Sequence, residues 1–123
     1  MKILIVTQYF WPENFKINDF AVGLVNNGHK ITVLTGLPNY PDGNFFNDYS
    51  FRSISKIEDY QGVKVIRSLL LPRGNGSPMR LLLNYLSFAI FSSIKILRFK
   101  NDYDLIFVYE PSPITVCIPA IVY

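Results

Sequence analysis

Apolar and polar positions follow two different rhythms along this chain, and each change of rhythm marks an element. Lys2–Thr7 (KILIVT) and Lys30–Thr35 (KITVLT) are continuous apolar or β-branched runs, the pattern of strands covered on both faces. Between them Ile17, Phe20, Ala21, Leu24 and Val25 recur at helical spacing, with Asn18, Asp19, Asn26 and Asn27 on other faces. Gly28 stands where a glycine closes a helix. Strand, helix, strand in immediate succession predicts a βαβ unit with parallel strands and a right-handed crossover.

The next segment, GLPNYPDGNFFNDYSFRS, holds two prolines and two glycines and predicts an irregular loop, long enough to be functional. Ile54–Tyr60 and Val63–Leu70 then form the arms of a hairpin turning at Gln61-Gly62, the second arm being the third strand of the core. After PRGNGSP, Ser77 is a good N-cap and Pro78 a good first helical residue, which predicts a helix to about Lys100. Tyr103–Tyr109 (YDLIFVY) is a fourth buried strand, and another helix begins at Ile114. This order predicts an α/β fold, a Rossmann-like doubly wound parallel sheet with strand order 3-2-1-4 and an added hairpin.

Leu81–Arg98 has the length of a membrane span, roughly 27 Å of helix. Six of its residues are polar, however, and Arg80, Asn84, Ser87, Lys95 and Arg98 fall near one stripe. The expectation is a core helix with a narrow wet face; contact of that face with a membrane surface is the alternative.

Composition narrows the reading. Twelve Lys and Arg against nine Asp and Glu leave a net charge of +3, too little to argue for nucleic acid. The single cysteine, Cys117, excludes an internal disulfide and fits a reducing compartment. The first residues are too short an apolar run for a signal peptide, so a cytoplasmic location is expected, and the acceptor-like Asn75-Gly76-Ser77 carries little weight. The apolar C-terminus, SPITVCIPAIVY, leads to the expectation that residues 1–123 are a domain incomplete at its C-terminus.

Ligands of open parallel sheets bind beyond the carboxyl ends of the strands. That rim would be formed by Gln8–Asn14, Gly36–Asp48, Leu71–Ser77 and Glu110–Pro113. The first loop lacks a G-x-G-x-x-G pattern, which argues against a dinucleotide-binding dehydrogenase. It offers Glu13 and Asn14 at a helix start, as ligand groups or as an ordinary N-cap and dipole-matching charge. Arg73-Gly74-Asn75-Gly76-Ser77, with Arg80 beyond, is an anion candidate whose glycines would let N–H groups turn inward; an ordinary glycine-rich loop is the alternative. Pro38-Asn39-Tyr40-Pro41 could present an amide and an aromatic face to a sugar, or be a structural turn. Glu110 is a candidate general base or hydroxyl acceptor, although glutamate at a strand end is common. His29 falls on the opposite rim and Cys117 in an apolar helix start, both with structural roles expected; no His/Cys cluster suggests a metal site.

In order along the chain, MKILIVTQYFWPENFKIND, GHKITVLTGLPNYPDG, GVKVIRSLLLPRGNGS, LNYLSF and FVYEPSPITV together resemble the N-terminal domain of bacterial family-4, GT-B-fold retaining glycosyltransferases. The resemblance spans essentially all 123 residues and is nearest to the WbuB-like subgroup that builds O-antigen and capsule repeat units. It implies an acceptor-binding domain whose C-terminal partner, absent from this chain, binds the nucleotide-sugar donor, expected to be a UDP-sugar. It implies no metal or other cofactor in this domain and no transferase activity from this chain alone. The implied partners are the donor, an acceptor sugar on undecaprenyl pyrophosphate and an anionic membrane, at the inner face of the plasma membrane. Arg80, Lys95, Arg98, Lys100 and the loop bearing Phe46, Tyr49 and Phe51 would supply the membrane contact.

By position the resemblance assigns substrate binding to Glu13, Asn14 and Asn18, where many relatives carry a Gly-Gly loop that this chain lacks. Asn39, Tyr40, Arg73, Gly74, Gly76, Ser77 and Ser112 complete the candidate binding set. Catalysis falls to Glu110, in a stretch where many relatives keep a histidine. A reading from a different class is a free-standing Rossmann-like module that binds a phosphorylated ligand without catalysis.

Overall fold

The computed structural model describes residues 1–100, 102–110 and 114–123. Its strands and helices follow in the order β1 (Lys2–Thr7), α1 (Lys16–Asn26), β2 (Lys30–Gly36), β3 (Ile57–Tyr60), β4 (Val63–Ser68), α2 (Pro78–Ile96), β5 (Leu105–Tyr109) and α3 (Ile118–Val122). Two 3-10 turns, Phe51–Ser55 and Ile114–Cys117, precede β3 and α3.

The strands form one five-stranded sheet in the order β3-β4-β2-β1-β5, parallel except for β3, which runs antiparallel to β4. The four parallel strands, β4-β2-β1-β5, are the third, second, first and fourth strands read from the sequence, and the full order differs from the expected 3-2-1-4 by one added member. The first arm of the hairpin is itself a strand, placed at the outer edge, and the sheet has five members. Its turn is tight because Gln61 and Gly62 both take positive φ, 51° and 85°, as a two-residue hairpin requires.

Alternation within the strands sends side chains into two cores. Ile3, Ile5, Ile31, Val33, Val63 and Val65 pack with Ile17 and Ala21 of α1 on one face. Leu4, Val6, Leu34 and Ile66 pack with Phe88 and Ile96 of α2 and with Val116 on the other. β1 is buried from Ile3 onward because it is central, with covered faces on both sides. The fourth strand departs from expectation: β5 lies at the sheet edge, and Leu105 and Phe107 are exposed.

Helix α2 starts as its sequence indicates. Ser77 caps it through Oγ, which accepts from Arg80 N at 3.4 Å, and Pro78 is its first residue. Its orientation reverses the expectation of a wet stripe. Asn84, Ser87 and Ser92 are buried against the sheet, while Leu82, Leu86, Ile90 and Ile94 face outward. The inward polar groups have specific partners. Gln8 Nε2 donates to Asn84 Oδ1 at 2.6 Å, and Asn84 Nδ2 donates to the Leu71 carbonyl at 2.6 Å. Ser87 Oγ accepts from Leu71 N at 2.8 Å. Lys95 also turns in, donating to the carbonyls of Ile54 and Arg67, and burial pushes its ammonium below its ordinary pKa.

The long loop after β2 is tied to the loop after β4 through Gly43. Its N–H donates to Asn39 O at 2.7 Å, and its carbonyl accepts from Gly74 N at 2.8 Å. Gly43 has φ +83°, and a Cβ there would overlap the Gly74 backbone. Gly43→Ala is therefore expected to cost about 2 kcal/mol or more, read from urea unfolding. An unchanged midpoint would show that the two loops are not held together at this point.

Candidate functional site

The parallel strands β1, β2 and β4 deliver their following loops to one edge of the sheet, and the site grows from the aromatic run Tyr9-Phe10-Trp11 just after β1. Phe10 enters the α1-side core with Trp11 packed against it, whereas Tyr9 joins a separate aromatic group. The Tyr9 ring stacks on Phe15 with centroids 5.1 Å apart, and both rings meet Tyr40, at 5.8 and 5.2 Å. Arg73 covers this cluster. Its guanidinium carbon lies 5.0 Å from the Tyr40 centroid and 5.9 Å from that of Tyr9, and Nη1 donates to Tyr9 Oη at 3.4 Å. Tyr9 is almost wholly buried, and burial lifts its phenol above the ordinary tyrosine range against the opposing Arg73 charge. Tyr40 is 38% exposed and is the open surface of the cluster.

Beneath this platform lies a hydrogen-bonded chain. Glu13 is 1% exposed. Its Oε1 accepts from Asn39 N at 2.9 Å and Tyr40 N at 2.8 Å, and its Oε2 from Phe10 N at 3.3 Å. Burial pushes the Glu13 carboxyl up to about 7, opposed by the Asn39, Tyr40 and Phe10 N–H groups and by the Arg67 charge. Asn39 is buried as well; its Nδ2 donates to Leu37 O, and its Oδ1 accepts from Arg73 N at 3.1 Å. Asn18 closes the β1 loop from α1: Oδ1 accepts from Trp11 N and Nδ2 donates to Glu13 O. Glu13, Asn18 and Asn39 therefore shape the loops from below, and Tyr40 and Arg73 face outward.

The glycine-rich turn is arranged differently from the expected cradle of free N–H groups. Gly74 and Gly76 do take positive φ, 55° and 72°. Yet Arg73 N donates to Asn39 Oδ1, Gly74 N to Gly43 O, Gly76 N to Arg73 O and Ser77 N to Asn75 Oδ1. What the turn presents is side-chain charge, from Arg73 on one side and Arg80 packed beside Gly74 on the other. Asn14 is exposed, and Phe15, not Asn14, occupies the α1 N-cap position, without a side-chain cap.

Glu110 follows Tyr109, which lies opposite Thr7 in the sheet, so it stands at the same edge. It is exposed, and its described contact is with Cys117 Sγ at 3.6 Å. Burial and the nearby Glu110 carboxylate push the Cys117 thiol upward. Ser112 lies outside the described residues. His29 is on the opposite rim, its Nδ1 3.4 Å from the terminal amine. Among the described residues no group of three His, Cys, Asp or Glu side chains could hold a metal.

Two features escape sequence reasoning. One is Tyr9 with Phe15, whose signal is the aromatic run beside a strand end. The other is Arg67, 0% exposed, which donates to Glu58 Oε2 at 2.9 Å, to Gly36 O at 3.2 Å and to Trp11 O. Tyr49 Oη donates to Glu58 Oε1 at 2.6 Å; burial and this carboxylate push the phenol up to about 12. Tyr49 and Glu58 of this group line a cleft of about 390 Å³ together with Trp11, Phe46, Asp48 and Lys56.

No protein-family model, no curated protein and no solved structure matches the chain.

Proposed function

We propose that this chain is the acceptor-binding part of a glycosyltransferase that moves a sugar from a nucleotide-sugar to a lipid-linked glycan in surface-polysaccharide synthesis. The single observation that carries the reading is the Tyr9–Tyr40–Arg73 platform. The part of the Tyr40 ring that stays exposed suits the C–H surface of a pyranose, and the Arg73 guanidinium lying over the ring suits a phosphate on the same molecule. The resemblance of the rim segments to GT-B acceptor domains supports it independently. In this reading the donor, a UDP-sugar, is held outside this chain, and the protein works in the cytoplasm at the inner face of the plasma membrane. Glu13, Asn18 and Asn39 act as positioning residues that set the height of Tyr40. Glu110 is the candidate hydroxyl acceptor or base at the same edge.

Isothermal titration with N-acetylglucosaminyl pyrophosphate bearing a short prenyl tail tests the reading. Arg73→Ala is expected to weaken binding roughly tenfold or more, through loss of a charge-assisted phosphate contact. Tyr40→Ala is expected to weaken it about fivefold. Equal affinities in both variants and the parent would remove the site. The alternative, a module that binds a phosphorylated ligand without catalysis, draws on the Arg73 and Arg80 side chains beside the Gly74 turn. It predicts that inorganic pyrophosphate binds as tightly as the sugar-bearing compound and that Tyr40→Ala has no effect.

A further inference from the structure

The cleft beside Glu58 is built around the one tryptophan of the chain. Trp11 is fixed at three points. Its N–H donates to Asn18 Oδ1 at 3.0 Å, its carbonyl accepts from Arg67, and its indole stacks on Tyr60 with centroids 4.9 Å apart and planes 21° from parallel. Tyr49 is fixed as well. Its Oη donates to Glu58 Oε1, and the Arg67 guanidinium carbon lies 5.1 Å from its ring centroid. Both rings line the cleft, together with Phe46. Phe46 and Tyr49 belong to the loop that the resemblance assigns to membrane contact, yet both border this cavity. Its volume, about 390 Å³, falls within the roughly 300–1,000 Å³ of small-molecule sites.

The charges around the cleft select a neutral occupant rich in hydroxyls. Glu58 is paired with Arg67, and both its oxygens are engaged, Oε1 by Tyr49 and Oε2 by Arg67. Asp48 and Lys56 remain. They are exposed, opposite in sign and line the same cleft, yet among the described residues neither forms a salt bridge. A carboxylate that accepts and an ammonium that donates, held apart beside fixed aromatic rings, match a pyranose. Its C–H face packs on the rings, while its hydroxyls donate to Asp48 and accept from Lys56. With one free charge of each sign, the cleft has no net attraction for an ion. A purely apolar ligand would desolvate both charges without pairing them.

We infer that this cleft is a second carbohydrate subsite, sharing no residue with the Tyr9–Tyr40–Arg73 platform, and that it takes a neutral pyranose. The loops after β1 and β2 and the start of β3 form it, so it lies on the same edge of the sheet as the platform. Trp11 and Tyr9 are two residues apart, which keeps their Cα atoms within about 7 Å of each other. The inference rests on the acceptor reading for one point, that the pyranose is a further unit of the glycan whose phosphate-bearing sugar sits on Tyr40. The acceptor then carries at least two sugars, and a glycosyl transfer that adds the second must precede the one in which this chain takes part.

Intrinsic fluorescence tests it, because the single tryptophan of the chain lines this cleft. The 123-residue chain is titrated with the methyl glycosides of glucose, galactose, mannose, fucose and N-acetylglucosamine, and with sorbitol as an open-chain polyol. At least one glycoside is expected to shift the emission saturably, and sorbitol is expected to leave it in place. Asp48→Ala and Lys56→Ala, both at exposed positions, are each expected to weaken that binding about fivefold, through loss of one charged hydrogen-bond partner, with the circular dichroism spectrum unchanged. No saturable shift from any glycoside, an equal shift from sorbitol, or a response that either substitution leaves undiminished would overturn the inference. Failure of the acceptor reading looks different. Prenyl N-acetylglucosaminyl pyrophosphate would then bind Tyr40→Ala, Arg73→Ala and the parent equally while the tryptophan still responded to free glycosides. That result would leave the pyranose cleft standing and remove its assignment to the acceptor.

Discussion

Arg67→Ala is expected to lower the stability of the protein by roughly 3–5 kcal/mol, a large part of the 5–15 kcal/mol that holds a typical domain together. Arg67 is 0% exposed and joins four segments that are distant in sequence. It reaches the β1 loop through Trp11 O, the end of β2 through Gly36 O, the long loop through Tyr49, and β3 through Glu58. Truncation leaves the buried Gly36 carbonyl and the part-buried Trp11 carbonyl without this donor, and the Glu58 carboxylate, 20% exposed, without its cation. Arg67→Lys should recover less than half of the loss, because one ammonium cannot reproduce a fork that serves a carboxylate and two carbonyls at once. Urea unfolding measures both variants. A loss under about 1 kcal/mol for the alanine variant would place this ion pair with the weak surface pairs.

Glu13→Ala is expected to cost about 3 kcal/mol, because three buried N–H groups, of Phe10, Asn39 and Tyr40, lose their acceptor together. The same carboxyl gives a pH signature. Burial raises its folded-state pKa to about 7 from an unfolded value near 4.5, so the folded protein holds this proton more tightly than the unfolded chain. That contribution to stability is complete below about pH 4.5 and is lost as the pH rises through about 7. The wild type should therefore lose up to about 3 kcal/mol relative to Glu13→Gln across this window, which compares unfolding at pH 5 and pH 7.5. A wild type that instead gained stability over the glutamine variant as the pH rose would mean that the three N–H groups hold the carboxylate ionised.

The elements that the sequence foretells are those whose signals are local. KILIVT and KITVLT are apolar without interruption because β1 and β2 are central, and no distant information is needed to read them. Gln61-Gly62 and Ser77-Pro78 act through their own backbone preferences. The orientation of α2 is different. Apolar residues occupy more than one side of it, so its narrow polar stripe is compatible with facing either way. Facing inward depends on Gln8 and on the Leu71 backbone, which arrive from other parts of the chain. Arg67 illustrates the same point, since an arginine in a strand reads as an exposed residue until its four partners are assembled around it.

The candidate site divides along the same line. Glu13, Asn39, Tyr40 and Arg73 are on the rim that the order of strands and helices specifies, and they are linked by direct contacts. Residue type alone did not distinguish the buried supports, Glu13 and Asn39, from the outward groups, Tyr40 and Arg73. The glycine pair signalled a positive-φ turn correctly, but its N–H groups serve neighbouring loops, which only the folded arrangement reveals.

Backbone-amide chemical-shift mapping of the chain titrated with a water-soluble prenyl N-acetylglucosaminyl pyrophosphate tests the central claim most directly. The largest shifts should fall at Tyr9, Asn39, Tyr40 and the Arg73–Ser77 turn, with Asn26–Lys30 on the opposite rim unmoved. Shifts centred on that opposite rim, or none at a saturating concentration, would contradict the account.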